Sequence, residues 1–133
     1  MHRFWLSTVL AIGLASAAHA QDTPPQAVIE AQIAAFMADD FEAAFGFASP
    51  AIRSIFGTPE RFGQMVLQGY PMVHRPADLR FLDQAERGAA ILQRVLITDQ
   101  SGRAHVLEYE MLPADGAFVI NGVRILPGQG TGV

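Results

Sequence analysis

The sequence predicts an α+β domain in which three N-terminal helices pack on a curved antiparallel sheet of about four strands. Apolar residues recur at helical spacing over residues 24–70. Residues 89–126 instead contain three runs rich in Val, Ile and Leu, separated by two turn motifs. Helices that precede the strands, rather than alternating with them, are typical of the α+β class.

Residues 1–20 have the features of a secretory signal peptide. A weakly basic start is followed by a mostly apolar run over residues 4–15, and Ala18-His19-Ala20 has the small-x-small form of a cleavage site. An apolar run of twelve residues is too short to cross a hydrocarbon core of roughly 30 Å as a helix. We therefore expect cleavage after Ala20, a periplasmic or secreted location, and no membrane association of the mature protein.

Length and composition predict one domain without disulfides. The chain has 133 residues; we expect residues 21–126 to form the domain and the glycine-rich residues 127–133 to form a flexible tail. The absence of cysteine excludes disulfides and thiolate chemistry. A formal net charge of −4 argues against nucleic acid and anionic membrane surfaces as partners, because both require a basic patch.

The three helices are predicted from apolar stripes, each preceded by a residue that can cap a helix. The stripes cover residues 24–37, 41–48 and 59–70. The expected capping residues are Thr23, Asp40 and Thr58.

The prolines between and after these helices predict irregular segments. We expect only a short turn after Ser49-Pro50, because the residue before a proline resists the helical region. Pro71 and Pro76 predict an extended stretch over residues 72–83 that becomes an edge strand over residues 79–82, followed by a turn over residues 83–88.

Three further strands are predicted over residues 89–98, 103–112 and 117–126. Turns at Asp99-Gln100-Ser101-Gly102 and Pro113-Ala114-Asp115-Gly116 separate them, because glycine supplies positive φ and Asp or Ser can bond nearby amides. In the middle strand His105, Leu107, Tyr109 and Met111 share one face, predicted to be the inner one. Glu108 and Glu110 share the outer face, where we expect pairing with Arg94 or Arg124.

The dipeptide Asn121-Gly122 could signal a hairpin, but we predict a bulge within one long strand. Asp115-Gly116 already turns the chain, and a second turn six residues later would leave ribbons of only about four residues. A bulge instead keeps residues 119–126 in the sheet and curls it, which would produce a concave face.

The order of elements resembles the nuclear transport factor 2-like, cystatin-like cone domains, which include ketosteroid isomerases. The segments that carry the resemblance are Asp39-Asp40 with the helix after it, Ala48-Ser49-Pro50, and Phe118-x-Ile120-x-Gly122-Val123. They look most like an uncharacterised group of small exported bacterial proteins, over roughly residues 23–126. The resemblance implies a conical pocket between helices and sheet, and often a homodimer formed through the outer sheet face.

The residues considered for ligand binding are those expected near the pocket. They are Tyr70, His74, Tyr109, His105 and Arg80. A histidine is the only one of these groups that could act as a base near neutral pH without a large pKa shift. Arg80, with Arg75, could bind an anionic ligand, although a solvated edge that discourages strand pairing is the favoured interpretation.

No metal site, cofactor motif or catalytic residue is assigned. His74 and His105 are the only histidines after residue 20, and Glu108 and Glu110 should face away from His105. A zinc site needs about three such ligands together. A tyrosine and carboxylic acid pair of the isomerase type would require an acid on the inner face of the strand over residues 103–112, where there is none.

Three functions remain open on this basis. The first is non-catalytic binding of a small, largely apolar molecule in the pocket. The second is protein interaction or dimerisation through the outer sheet face. The third is an isomerase- or dehydratase-like enzyme with His74 or His105 as its base.

Overall fold

The computed structural model of the protein describes residues 23–127. The predicted signal peptide, and the predicted tail apart from Pro127, lie outside this range. Five helices precede four strands: α1 (Pro25–Met37), α2 (Phe41–Gly46), α3 (Pro50–Phe56), α4 (Pro59–Gly69), α5 (Pro71–His74), β1 (Asp78–Arg87), β2 (Ala90–Thr98), β3 (Ala104–Ala114) and β4 (Ala117–Ile125). The α+β class is confirmed.

The prediction of three helices is wrong, because two short segments that begin with proline are also helical. In α3 the Ser49 hydroxyl accepts a hydrogen bond from the Ile52 amide at 3.2 Å, and Pro50 occupies the first turn. Gly57, with a φ of 80°, follows the helix. A proline likewise begins α5, in a stretch that was predicted to be extended.

Local capping chemistry accounts for the starts of α2 and α4. The Asp40 carboxylate accepts from the Ala43 amide at 3.1 Å, and the Thr58 hydroxyl accepts from the Arg61 amide at 3.2 Å, so both predicted caps are confirmed. The cap predicted for the first helix is wrong. Pro24 stands at the N-cap position of α1, and no side chain caps that end.

The four strands form one antiparallel sheet in the order β1-β2-β3-β4. β1 is longer than predicted, because it runs through residues 83–87 where a turn was expected. The pairs Phe81↔Val95 and Gln84↔Gln93 show a register shift between them. This bulge places an extra residue in β1 and allows the charged segment after it to remain paired with β2.

The turns of the sheet form as their residues predict. One Asp99 oxygen accepts from the amides of Ser101 and Arg103, each at 2.9 Å, and Gly102 has a φ of 88°. Between β3 and β4, Asp115 and Gly116 have φ values of 48° and 75°. Positive φ at both positions is what a tight two-residue hairpin turn requires.

Asn121-Gly122 lies within one continuous strand, so the predicted bulge is confirmed. Gly122 pairs with Glu110 and Ile120 with Met111, which leaves Asn121 as the extra residue of β4. The Ser49 hydroxyl donates to Asn121 Oδ1 at 2.8 Å, and Asn121 Nδ2 donates to Glu110 Oε1 at 2.7 Å. The bulge therefore connects the start of α3 to the outer face of β3.

The core lies between the helices and one face of the sheet. Leu107, Tyr109 and Met111 are fully buried on that face, as their alternation in β3 predicts. Ile29 and Phe36 contribute from α1. The helices thus pack on the inner face, and any opening left between the two layers is a candidate binding site.

Candidate functional site

A cavity of about 350 Å³ lies between the helices and the inner face of the sheet. Its walls are formed by α1, α3, α4, α5, the residues just before α3 and α5, and the middle of β3 and β4. The residues that line it are Gln32, Phe36, Ala48, Ile52, Phe56, Phe62, Met65, Val66, Tyr70, Val73, Tyr109, Ile120, Gly122 and Val123. The lining is almost entirely apolar, which is typical of small-molecule sites.

Side-chain exposure shows where the cavity opens. Phe36, Val66 and Tyr109 are buried, so they do not border the opening. The half-buried lining residues are Ile52, Phe56, Met65, Tyr70, Gly122 and Val123. The mouth therefore lies between α3, the end of α4 and β4.

Aromatic packing forms the helical wall. The Phe62 ring lies with its centroid 5.9 Å from that of Phe36 and 5.8 Å from that of Phe56. Such contacts add to the burial of apolar area. Gln32 is the polar exception in this wall, and its Nε2 donates to the Ala44 carbonyl at 3.1 Å, which joins α1 to α2.

Tyr70, one of the residues predicted for the site, does line the cavity. It follows α4 directly, and its hydroxyl donates to the Val123 carbonyl at 3.0 Å. This bond connects the helical layer to β4 beside the mouth. Tyr70 therefore has both a structural contact and a position at the entrance.

Tyr109 also lines the cavity, on the sheet side. Its side chain is fully buried, and its hydroxyl has no hydrogen-bond partner within residues 23–127. Burial raises the pKa of the Tyr109 hydroxyl, and proximity to Tyr70 raises it further. The group is therefore a neutral donor throughout the physiological pH range.

His74 lies outside the cavity lining. Its Nε2 is 2.8 Å from Asp39 Oδ1, and its ring stacks on Phe41 with a centroid distance of 6.0 Å. Arg75 reaches the same aspartate at 3.1 Å and donates to the carbonyl of Met37 at 2.9 Å, at the end of α1. This cluster fastens α5 to the corner between α1 and α2.

His105 and Arg80 are not cavity residues either. His105 Nε2 lies 2.8 Å from Asp99 Oδ2, so the histidine braces the turn between β2 and β3. Arg80 is exposed on β1, opposite Leu96, and its side chain makes no hydrogen bond or ion pair with the part of the chain described. Two of the five predicted residues, the tyrosines, are therefore brought together at the cavity.

Glu108 is the centre of an ion network on the outer face. Its carboxylate accepts from Arg124 Nε at 2.9 Å and from Arg94 Nε at 3.3 Å, which confirms the cross-strand pairing predicted for Glu108. Glu110 instead accepts from Arg87 and Asn121, so the same prediction is wrong for Glu110. Only 5% of the Glu108 side chain is exposed. The bond from Arg124, and then that from Arg94, lowers the pKa of Glu108 despite burial.

The sequence did not identify Ile52 and Phe56 as site residues, because the segment after Pro50 was expected to be a turn. The signal was present: Ser49-Pro50 has the same cap-then-proline form as Thr58-Pro59, from which α4 was predicted. Gln32 and Val123 have no comparable signal. Their roles depend on the positions of distant elements.

The polar side chains that line this cavity are Gln32, Tyr70 and Tyr109. None of its lining residues is Asp, Glu, His, Lys or Arg. Within residues 23–127, no three or more His, Asp or Glu side chains are grouped in a way that could hold a metal ion.

Asp99, in the turn between β2 and β3, should make the stability of the protein depend on pH. Hydrogen bonds from His105, Ser101 and Arg103 lower the pKa of Asp99. A carboxyl whose pKa is lower in the folded state adds stability above its unfolded pKa of about 4, and this contribution is lost as the pH falls through the folded pKa. We expect urea unfolding at pH 7 to show that Asp99→Asn is less stable than the wild type, and that the difference shrinks below about pH 4.

Asp78→Asn is the matched control for this pH series. Asp78 is exposed, and its side chain makes no hydrogen bond or ion pair with residues 23–127. The Asp78→Asn variant should be as stable as the wild type at each pH. A constant difference between Asp99→Asn and the wild type from pH 7 to pH 3 would contradict the proposed role of the Asp99 carboxylate.

Together, the fold and the cavity define a small α+β domain with an apolar pocket between a helical layer and an antiparallel sheet. The chain belongs to the family described as a domain of unknown function, DUF4864, whose model matches residues 18–133. No functionally curated protein matches the chain.

A solved structure shares the fold. The chain is similar to a SEC-C motif containing protein from Rhodopseudomonas palustris, with 17% sequence identity and a TM-score of 0.56. The match covers 77% of this chain and 78% of that protein. At this identity the likeness concerns the fold alone.

Across the described residues, the helices are too short or too polar to pass through a bilayer.

Proposed function

We propose that this protein is an exported, non-catalytic domain that binds a small, neutral, largely apolar molecule in the cavity between its helices and its sheet. The observation that carries the proposal is the apolar cavity of about 350 Å³ with a half-buried mouth. Pockets that hold small organic ligands begin at about 300 Å³. The lining contains no charged group, which disfavours an ionic ligand because nothing would compensate its lost hydration.

The cone architecture of the nuclear transport factor 2-like domains belongs to the same proposal. Bulges in β1 and β4 support it, because a bulge bends its strand and increases the local twist. A sheet bent in this way would leave space beneath a helical layer. The cavity lies beside the bulge of β4, where Gly122 forms part of its wall.

A neutral fluorescent probe can test ligand binding. N-phenyl-1-naphthylamine is apolar, and its emission rises when it leaves water for an apolar site. We expect saturable binding by the wild-type protein. Ile52→Trp should weaken this binding about tenfold or more, because a larger side chain at the mouth would occupy the entrance.

The same substitution three residues along α3 provides the control. Ile55 is 71% exposed and does not line the cavity, so Ile55→Trp should bind the probe as the wild type does. Both variants place a tryptophan on the same short helix. Equal affinities for the two variants, or no saturable binding by the wild type, would rule out the cavity as the binding site.

A second candidate function is self-association through the outer sheet face. The helices pack on the other face, and half-buried aliphatic residues surround the Glu108 network: Leu92, Leu96, Leu112 and Val119. Aliphatic residues around paired charges are compatible with an interface between two copies. Sedimentation velocity over a range of concentrations tests this function, and a strictly monomeric profile would exclude it.

A further inference from the structure

One buried hydroxyl in the wall of the cavity has no hydrogen-bond partner within residues 23–127. The polar side chains of the cavity are Gln32, Tyr70 and Tyr109. The amide nitrogen of Gln32 donates to a carbonyl of α2, and the Tyr70 hydroxyl donates to the carbonyl of Val123. The Tyr109 hydroxyl alone has no partner in the described chain.

An unpaired hydroxyl in this position is unusual. Buried tyrosine hydroxyls ordinarily find a hydrogen-bond partner, because a buried donor without one loses its hydration and gains nothing in return. Phenylalanine would provide the same ring without that loss. An acceptor that arrives with a ligand would supply the missing bond.

We infer that the ligand carries one neutral hydrogen-bond acceptor, such as a carbonyl or ether oxygen, and that the Tyr109 hydroxyl binds it. This inference rests on the proposed function and makes Tyr109 the residue that determines specificity. The rest of the ligand should be apolar and of modest size. A cavity of about 150 Å³ holds one benzene ring, so about 350 Å³ corresponds to roughly two fused rings with a small substituent.

A pair of naphthalenes of nearly identical shape can test the inference. In 2-acetylnaphthalene an oxygen replaces the terminal methylene group of 2-isopropenylnaphthalene. Their affinities can be measured by displacement of N-phenyl-1-naphthylamine from the wild type and from Tyr109→Phe. For each protein, the affinity for the ketone is divided by the affinity for the hydrocarbon. The hydration of each ligand is the same for both proteins, so it cancels when the two ratios are compared.

We expect the preference for the ketone to fall by about three- to tenfold in Tyr109→Phe, which is what loss of one neutral hydrogen bond would produce. The affinity for the hydrocarbon should be unchanged. The melting temperature of Tyr109→Phe should equal or exceed that of the wild type, because the removed hydroxyl makes no bond within residues 23–127. This measurement separates a loss of specificity from a loss of folding.

Gln93→Leu provides the contrast, because Gln93 bonds to the carbonyls of Leu82 and Arg94 in the core and does not line the cavity. This variant should melt at a lower temperature than the wild type but keep the same preference between the two naphthalenes. An unchanged preference in Tyr109→Phe would overturn the inference while leaving the cavity as a binding site. If the probe itself does not bind the wild type, the proposed function fails as well.

Discussion

Replacing Phe36 with alanine is expected to lower the free energy of unfolding by about 3–5 kcal/mol. Phe36 is 1% exposed and packs between the sheet and two other rings, with centroid distances of 6.1 Å to Phe41 and 5.9 Å to Phe62. The substitution removes a whole ring from a packed interior, so both the apolar transfer energy and the cavity left behind contribute to the loss. Urea unfolding followed by circular dichroism measures the change.

Met37→Ala is the control for Phe36→Ala, because the next residue of α1 is 50% exposed. A surface truncation of this kind should change stability by no more than about 0.5 kcal/mol. The backbone carbonyl of Met37, which accepts from Arg75, remains in the variant. Similar losses in the two variants would mean that α1 does not bury Phe36 against the sheet.

The sequence predicted best those features that depend on a few neighbouring residues. The Asp99 turn, the Asp115-Gly116 hairpin turn and the Asn121 bulge each follow from local backbone chemistry, and all three form as expected. The inner face of β3 follows from alternation, because only one register buries Leu107 and Tyr109 together. These local preferences agree with the tertiary structure.

The features that were predicted wrongly depend on partners distant in sequence. Residues 83–87 contain charges and no aliphatic residue larger than alanine, yet they form a strand because they pair with β2. α3 has local signals for a helix, but none of its residues is fully buried, and it packs only lightly against α4 and β4. Its apolar stripe consists of Ile52 and Phe56 alone, which is too short for a sequence pattern to separate a helix from a turn.

The candidate site was only partly predictable for the same reason. Tyr70 and Tyr109 line the cavity because a helix end and a strand face determine their directions. His74 instead turns towards Asp39, which is 35 positions earlier in the chain. The sequence contains no sign of that ion pair, so His74 was expected at a pocket that it does not line.

Gln93 is expected to be as important to the sheet as a core aliphatic residue, although it is polar. It is fully buried on the inner face of β2. Its Nε2 donates to the carbonyls of Leu82 at 3.2 Å and Arg94 at 2.8 Å, and its Oε1 accepts from Gln84 at 2.6 Å. Because Leu82 lies where the register of β1 shifts, one side chain satisfies backbone that the bulge leaves unpaired.

Gln93→Leu should therefore lower the free energy of unfolding by about 2–3 kcal/mol, because it keeps the side-chain volume but leaves buried carbonyls without donors. Urea unfolding gives the magnitude, and hydrogen exchange should show faster exchange of the amides in β1. Gln68→Leu, at an exposed position of α4, makes the same chemical change without these bonds and should alter stability by less than about 0.5 kcal/mol. If Gln93→Leu were as stable as Gln68→Leu, the bulge of β1 would not depend on this side chain, and its unpaired carbonyls would have to be satisfied by water at the sheet edge.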